Sequence, residues 1–125
     1  MTDVSRDELV RRLGEPGLSL LDVRTRGEYD GSGGYPCDGR QGHIPGALHV
    51  DLHDLLAAGD AAEVRALLGL PEGAEVVAYC HSGGRSAIAV DLLAASGYRA
   101  RNYAGSWHEW SADVSLPVDS GQPEA

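Results

Sequence analysis

The chain has 125 residues, which suffice for one compact domain over residues 1–125 and are too few for two domains of ordinary size. Its formal net charge of −9 argues against nucleic acid or an anionic membrane surface as a partner. All ten basic residues are arginine, so an anion site would have to use arginine side chains or backbone N–H groups.

Apolar residues make up 42% of the chain and phenylalanine is absent, which indicates a core of leucine, valine and alanine. This composition suits an α/β domain with short, buried, aliphatic strands. No apolar run approaches membrane-spanning length, and the polar residues 1–7 predict no signal peptide. We therefore expect a cytoplasmic location, where a positioned cysteine is more often catalytic than structural.

The first part of the chain predicts a helix, a strand and a long loop. Ser5 with Glu8 three residues later predicts a capping box, and Gly14 predicts the end of the helix that follows. Residues 18–24 are typical of a buried strand, and residues 25–29 of a helical turn. Residues 30–42 contain five glycines and a proline, which predicts a loop that is either functional or loosely ordered. We call residues 30–42 the insertion loop.

The middle of the chain predicts a tight turn at residues 42–47 that leads into a short strand at 48–50. Asp51 can cap the next short helix, and apolar periodicity predicts a further helix over 61–68.

The second half begins with a strand at 75–79 that leads directly into Cys80. A helix follows over 86–96, with apolar residues nearly all round, then a strand at 98–103 and a helical turn at 105–110. We expect the polar tail from Asp119 to fray. Strands that alternate with helices predict a parallel sheet covered on both faces, with ligands beyond the carboxyl ends of the strands.

The loop after Cys80 places a thiol beside free N–H groups at a helix N-terminus, an arrangement that binds anions and lowers a thiol pKa. Gly83 and Gly84 permit the positive φ angles that such a ring needs. Ser86 can cap the helix and donate toward the sulfur. Arg85 can supply a fixed positive charge or brace the loop against a carboxylate.

Several motifs resemble, in the same order, those of the rhodanese family of sulfurtransferases. Each motif is weak alone, but the series runs from about Asp3 to Val118 and is specific as a set. The motifs are the first signature at 21–24 and 28–29, the second at 42–47, the active-site loop at 77–86, and the C-terminal end at 103–110 and 116–118.

The resemblance implies a three-layer α/β domain around a five-stranded parallel sheet, with helices on both faces. It also implies that the Cys80 thiolate takes the outer sulfur of thiosulfate, keeps it as a persulfide and passes it to a thiol or cyanide. The partners would then be small sulfur donors and acceptors, with no nucleic acid and no membrane. No cofactor is implied, and the oligomeric state stays open.

The size of the ring separates two enzyme classes that share this fold. Four residues lie between Cys80 and Arg85, whereas the related cell-division-cycle phosphatases have five and hold a tetrahedral phosphate. The shorter ring favours a sulfurtransferase over a phosphatase or arsenate reductase. Inactive binding modules of the family usually lack the cysteine. The loop residues expected to bind substrate are His81, Ser82, Gly83, Gly84, Arg85 and Ser86.

The donor is less closely defined by the resemblance. Thiosulfate is the first choice, a persulfide or polysulfide the second, and 3-mercaptopyruvate the third, whose enzymes share the Ser82-Gly83 pair. The insertion resembles that of catalytic domains in two-domain thiosulfate and mercaptopyruvate sulfurtransferases. By that match Arg40 could bind an anionic donor at the pocket mouth; the alternative is a solvated loop arginine.

Other candidate residues have simpler interpretations. Cys37 could resolve the persulfide or pair with Cys80, but an incidental loop thiol is the preferred interpretation. His81 could steer anions, although an exposed loop side chain is favoured. The five histidines show no metal-ligand spacing with cysteines or carboxylates, so we predict no metal. The remaining assignments are structural: His43 in its turn, Asp22 and Arg24 near the loop, and Trp107 and Trp110 in the core or pocket wall.

Overall fold

The structure, a computed structural model, describes residues 3–121. Four parallel strands form one sheet: β1 (Leu18–Asp22), β2 (Leu48–His49), β3 (Glu75–Tyr79) and β4 (Arg99–Asn102). Their order is β2-β1-β3-β4, so the expectation of five strands is corrected to four among the described residues. Beyond β4, Val4 makes only an isolated parallel bridge to Tyr103, which is too short to count as a fifth strand.

Six helices cover the two faces of the sheet: α1 (Arg6–Arg12), α2 (Arg26–Asp30), α3 (Leu52–Ala57), α4 (Ala61–Leu68), α5 (Gly84–Ala95) and α6 (Ser106–Ala112). Side chains alternate along β3, so Val76 and Ala78 pack with α3, α4 and α5, while Val77 and Tyr79 pack with α1 and α6. The three-layer α/β arrangement is therefore confirmed. The second face is rich in aromatic side chains, because both tryptophans lie fully buried in it.

The observed helix caps agree only in part with those predicted from the sequence. The Ser5 hydroxyl accepts the Glu8 N–H at 3.1 Å, as predicted for the N-cap of α1. The Glu8 carboxylate does not return to Ser5 but binds Arg101 and Arg12, so the predicted capping box is only half formed. A complete capping box is instead found at the start of α2, between Thr25 and Glu28.

Helix α5 begins two residues earlier than predicted, and this changes the roles of its first residues. Gly83 is the N-cap, with φ of +99°, and Ser86 lies within the first turn rather than at the cap. Gly84 is helical, so of the two predicted glycines Gly83 alone uses a positive φ. The helix is also less buried than expected, because Ile88 is 51% exposed.

The C-terminal segment is held against the turn that precedes β2. His43 and Asp119 exchange two backbone hydrogen bonds of 2.8 and 2.9 Å, and the Gly121 N–H donates to the Asp30 carbonyl at 2.8 Å. The expectation that the chain frays from Asp119 is therefore wrong as far as Gly121. Residues 122–125, and the residues 1–2 used in the signal-peptide argument, lie outside the described part.

Within residues 3–121, none of the helices has both the length and the apolar character that a membrane crossing requires. The cytoplasmic location stays a prediction.

Close contact at Gly42 provides a test of how the C-terminal segment is anchored. A methyl group at Gly42 (φ +123°) would overlap the Asp119 carbonyl oxygen, whereas one at Gly46 (φ +83°) would meet open space. Gly42→Ala should therefore lower the free energy of unfolding by about 3 kcal/mol through strain and overlap. Gly46→Ala should cost about 1 kcal/mol through backbone strain alone. Urea unfolding measures the free energy of unfolding of both variants. Equal losses in the two variants would contradict a contribution from the contact with Asp119.

Candidate active site

Cys80 lies directly after the last residue of β3, with its sulfur beneath the first turn of α5. The thiol accepts a hydrogen bond from the Gly83 N–H at 3.1 Å and one from the Ser86 hydroxyl at 3.3 Å. The residue is only 1% exposed. The predicted ring of donors around Cys80 is therefore present, and Ser86 contributes its hydroxyl from within the helix.

Burial and hydrogen bonding act in opposite directions on the Cys80 thiol. Burial raises the pKa of Cys80, because it disfavours the charged thiolate. The hydroxyl and N–H of Ser86 and the N–H groups of Gly83 and Ser82 lower that pKa and outweigh the burial, so the pKa lies below its usual value. This microenvironment favours the nucleophilic form of the thiol.

Close backbone contacts explain the glycine at position 83. A Cβ there would lie 2.6 Å from the Ala104 carbonyl oxygen, and the φ of +99° strains any other residue. The Gly83 carbonyl accepts a hydrogen bond from the Asn102 amide at 3.2 Å, and it lies 3.3 Å from the Ser86 hydroxyl, whose single proton can be donated either to this carbonyl or to the Cys80 sulfur. These contacts hold the Gly83 N–H toward the sulfur.

Ser106 is a site residue that the sequence analysis missed. Its hydroxyl accepts the Cys80 N–H at 3.0 Å and donates to the Tyr103 carbonyl at 2.8 Å, while its oxygen lies 4.0 Å from the Cys80 sulfur. Its backbone has φ of +55°, the only positive value at a non-glycine position among residues 3–121. This rare conformation allows α6 to begin directly beside the cysteine.

Arg85 braces the loop against a carboxylate, which was one of its two predicted roles. Its guanidinium makes a bidentate pair with Glu28 at 2.8 and 2.9 Å, and Glu28 is only 5% exposed. Burial raises the pKa of Glu28, but the Arg85 guanidinium and the hydrogen bonds from Thr25 together outweigh it, so the net shift is downward. The charge of Arg85 is therefore largely neutralised by Glu28.

A second, fully buried ion pair supports β1 beside the loop. Arg24 binds Asp22 at 2.7 Å and donates to the Gly42 carbonyl at 2.6 Å. Its guanidinium carbon lies 5.6 Å from the ring centre of Tyr79 and 5.0 Å from that of Trp107. These contacts fit the structural roles predicted for Asp22 and Arg24.

Arg40 requires a correction, because backbone carbonyls occupy the guanidinium that was expected to bind an anionic donor at the pocket mouth. It donates to the backbone carbonyls of Ser111 at 3.1 Å, Leu116 at 2.7 Å and Asp113 at 2.7 Å, with a longer bond to Trp110. A cation in this place satisfies the free carbonyls at the C-terminus of α6. The structure therefore uses Arg40 to attach the insertion loop to α6.

His81 is not the exposed loop side chain that was favoured, because its side chain is only 15% exposed. Its ring stacks on Tyr35 of the insertion loop at 3.8 Å, and its Nε2 lies 3.1 Å from the Asp38 carboxylate. His108 of α6 binds the same carboxylate at 2.9 Å. Cys37, Asp38, His81 and His108 therefore form a cluster of potential metal ligands. The prediction of no metal relies on spacing along the chain, which does not apply to residues brought together by the fold.

Both cysteines are free thiols, Cys80 buried and Cys37 exposed in the insertion loop. A disulfide between them is therefore absent from this structure, and the Cys37 sulfur lies 4.0 Å from Asp38 instead.

Comparison with known proteins gives a consistent result. Residues 5–113 match the family model described as a rhodanese-like domain. A solved structure titled "Crystal Structure of Probable Thiosulfate Sulfurtransferase" is 43% identical, with a TM-score of 0.79, and the match covers 94% of this chain and 47% of that one.

Two relatives differ in the donor that their names state. The thiosulfate sulfurtransferase of Azotobacter vinelandii is 34% identical over 123 residues, which are 92% of this chain and 45% of that protein. A Pseudomonas aeruginosa protein named "Probable 3-mercaptopyruvate sulfurtransferase" is 37% identical over 122 residues, 90% of this chain and 43% of that protein. The chain spans less than half the length of these relatives. From the family model and the geometry together, this chain belongs to the rhodanese-like family.

Proposed function

We propose that this chain is a thiosulfate sulfurtransferase that carries sulfur as a persulfide on Cys80. The observation that supports this most strongly is the pair of donors, the Gly83 N–H and the Ser86 hydroxyl, directed at the Cys80 sulfur. The same donors that favour a thiolate would favour the negative charge on a persulfide.

In the first step the Cys80 thiolate attacks the outer sulfur of thiosulfate. A new sulfur–sulfur bond forms at Cys80, the sulfur–sulfur bond of thiosulfate breaks, and sulfite leaves with the electron pair. The lowered pKa of Cys80 raises the fraction of the thiol that is present as the attacking thiolate.

In the second step an acceptor thiolate or cyanide attacks the outer sulfur of the Cys80 persulfide. The persulfide bond breaks, the electron pair returns to the Cys80 sulfur, and the product is a persulfide or thiocyanate. The Cys80 thiolate is thereby restored. This ping-pong order requires that one small molecule leaves before the next one enters.

The depth of Cys80 supports sulfur transfer over phosphate chemistry. The residue is 1% exposed, and the ring is formed by few residues, since α5 already begins at Gly84. A terminal sulfur that projects from its molecule can reach such a thiol more readily than a tetrahedral phosphate. The intact cysteine and its donors also weigh against a non-catalytic binding module.

Thiosulfate is the first choice of donor, with a persulfide second. Neither Arg85, paired with Glu28, nor Arg40, bound to carbonyls, is available as a free charge for an anionic donor. Binding of the donor would therefore depend on backbone N–H groups and hydroxyls of residues 81–86. The shared Ser82-Gly83 pair keeps 3-mercaptopyruvate as the alternative, and steady-state rates with thiosulfate, mercaptopyruvate and glutathione persulfide would discriminate among the three.

Sulfur loading tests the nucleophile directly. After incubation with thiosulfate and removal of excess donor, the protein should gain the mass of one sulfur atom, located by peptide mapping on Cys80. Cys80→Ala should gain none and lose sulfur transfer to cyanide, because no other thiol has these donors. The variant should keep the thermal stability of the parent within a few degrees. Sulfur found on Cys37 instead, or phosphate release from an aryl phosphate without sulfur transfer, would overturn the proposal.

The pKa of Cys80 tests the role of the Ser86 hydroxyl. Ser86→Ala removes a donor to the sulfur and should raise the pH midpoint of Cys80 alkylation by about one unit, since a hydrogen bond to a charged group is lost. Iodoacetamide labelling followed by peptide mass spectrometry, in buffer with a chelator, measures that midpoint. Ser82→Ala is the matched control, because Ser82 acts through its backbone N–H, which the variant keeps. Equal shifts in both variants would contradict the assignment.

A further inference from the structure

The cluster beside the active site joins three parts of the chain. Cys37 and Asp38 belong to the insertion loop, His81 follows the nucleophile, and His108 lies in α6. One potential ligand atom from each of the four residues lies within 4.8 Å of the others. We propose that these four residues bind one divalent transition-metal ion of the zinc type.

The distances within the cluster suit a tetrahedral ion after small shifts. Metal–ligand bonds of about 2.0–2.3 Å at tetrahedral angles place the ligand atoms about 3.3–3.8 Å apart. Asp38 Oδ1 lies 2.9 Å from His108 Nδ1, 3.1 Å from His81 Nε2 and 4.0 Å from the Cys37 sulfur, and Asp38 Oδ2 also lies 3.1 Å from His81 Nε2. These distances lie on both sides of the required range, and no pair of ligand atoms is more than 4.8 Å apart, so movements of about 1 Å would suffice.

The Asp38 carboxylate supplies an independent reason to expect a ligand. Its side chain is only 1% exposed, yet its Oδ2 atom has no hydrogen-bond partner in the described structure. His81 Nε2 lies 3.1 Å from that oxygen, without the geometry of a hydrogen bond. A buried carboxylate oxygen without a partner is costly. A cation bound through Oδ2, or through both carboxylate oxygens, would satisfy it, and a divalent ion would balance the two charges of the carboxylate and a Cys37 thiolate.

Backbone and ring contacts position three of the ligands in advance. The His108 N–H donates to the His81 carbonyl at 2.9 Å, which fixes the two histidines relative to each other. The Tyr35 ring stacks on His81, and the Asp38 N–H donates to the Tyr35 carbonyl at 3.1 Å. The exposed Cys37 leaves a route by which an ion can enter and the site can then close.

The donor set favours zinc over magnesium or calcium, because a thiolate and two imidazole nitrogens suit softer ions, whereas hard ions take oxygen ligands. Binding would release the Cys37 thiol proton to solvent. It would also require that His81 and His108 carry their protons on the ring nitrogens that face away from the ion. Four protein ligands would complete the coordination, so the ion would fix the insertion loop beside the Cys80 ring rather than take part in sulfur transfer.

Cobalt titration tests the site in a protein that lacks the active-site thiol. In Cys80→Ser, Co²⁺ should bind at one ion per chain and give the charge-transfer absorption of a cobalt–thiolate bond, and Zn²⁺ should displace it. Adding Cys37→Ser should remove the thiolate band, and adding His108→Ala should weaken Co²⁺ binding at least about 100-fold. His53→Ala in the same background is the matched control: that side chain is 89% exposed and its ring hydrogen-bonds to Asp51, away from the cluster residues, so binding should not change.

Thermal unfolding gives a second readout. At one fixed Zn²⁺ concentration that saturates Cys80→Ser, the Tm of that variant should rise by about 5 °C or more, and the Tm of Cys80→Ser/His108→Ala should rise by much less. Absence of stoichiometric binding to Cys80→Ser, or a thiolate band that survives Cys37→Ser, would overturn the proposal. Because these proteins lack the nucleophile, neither result bears on the proposed sulfur transfer.

Discussion

The ion pair between Arg85 and Glu28 positions the first turn of α5, and the surroundings of Cys80 depend on that turn. Glu28 is itself held by the capping box with Thr25, so α2 presents a fixed, nearly buried carboxylate. The bidentate contacts at 2.8 and 2.9 Å connect this carboxylate to the second residue of α5. A planar guanidinium that makes two parallel bonds fixes orientation as well as distance. The donors from Gly83 and Ser86 thereby keep their direction toward the sulfur.

Each of the three arginines near the site is bound to a partner within the protein. Arg85 and Arg24 each pair with a carboxylate, and Arg40 binds the carbonyls at the end of α6. Stabilisation of a negative sulfur is therefore left to the Ser86 hydroxyl and to backbone N–H groups, which are fixed dipoles and need no reorganisation when charge develops. The insertion loop, held by Arg40 and by Asp38, forms the rim beside this site.

Local sequence patterns predicted the strands, most helices and the Cys80 ring, because strand alternation, capping residues and glycine positions act over a few residues. The start of α5 was missed because Gly83, rather than Ser86, supplies the cap. The resemblance left Arg40 as either a donor-binding residue or a solvated loop arginine, and only the folded chain shows it bound to carbonyls about 70 positions later. Ser106 and the cluster around Asp38 could not be predicted, since they join segments that no local spacing relates.

A double-mutant cycle on Glu28 and Arg85 tests the central claim most directly. The measured quantity is the rate of Cys80 persulfide formation from thiosulfate in a single turnover, for Glu28→Gln, Arg85→Gln and the double variant. If the pair acts as a unit, each single variant should lose about tenfold or more, and the double variant should be no slower than the slower single one. The coupling energy should then be about 1.4 kcal/mol or larger. Additive losses, or a folded Glu28→Gln with the parent rate, would contradict the claim that this ion pair positions the donors around Cys80.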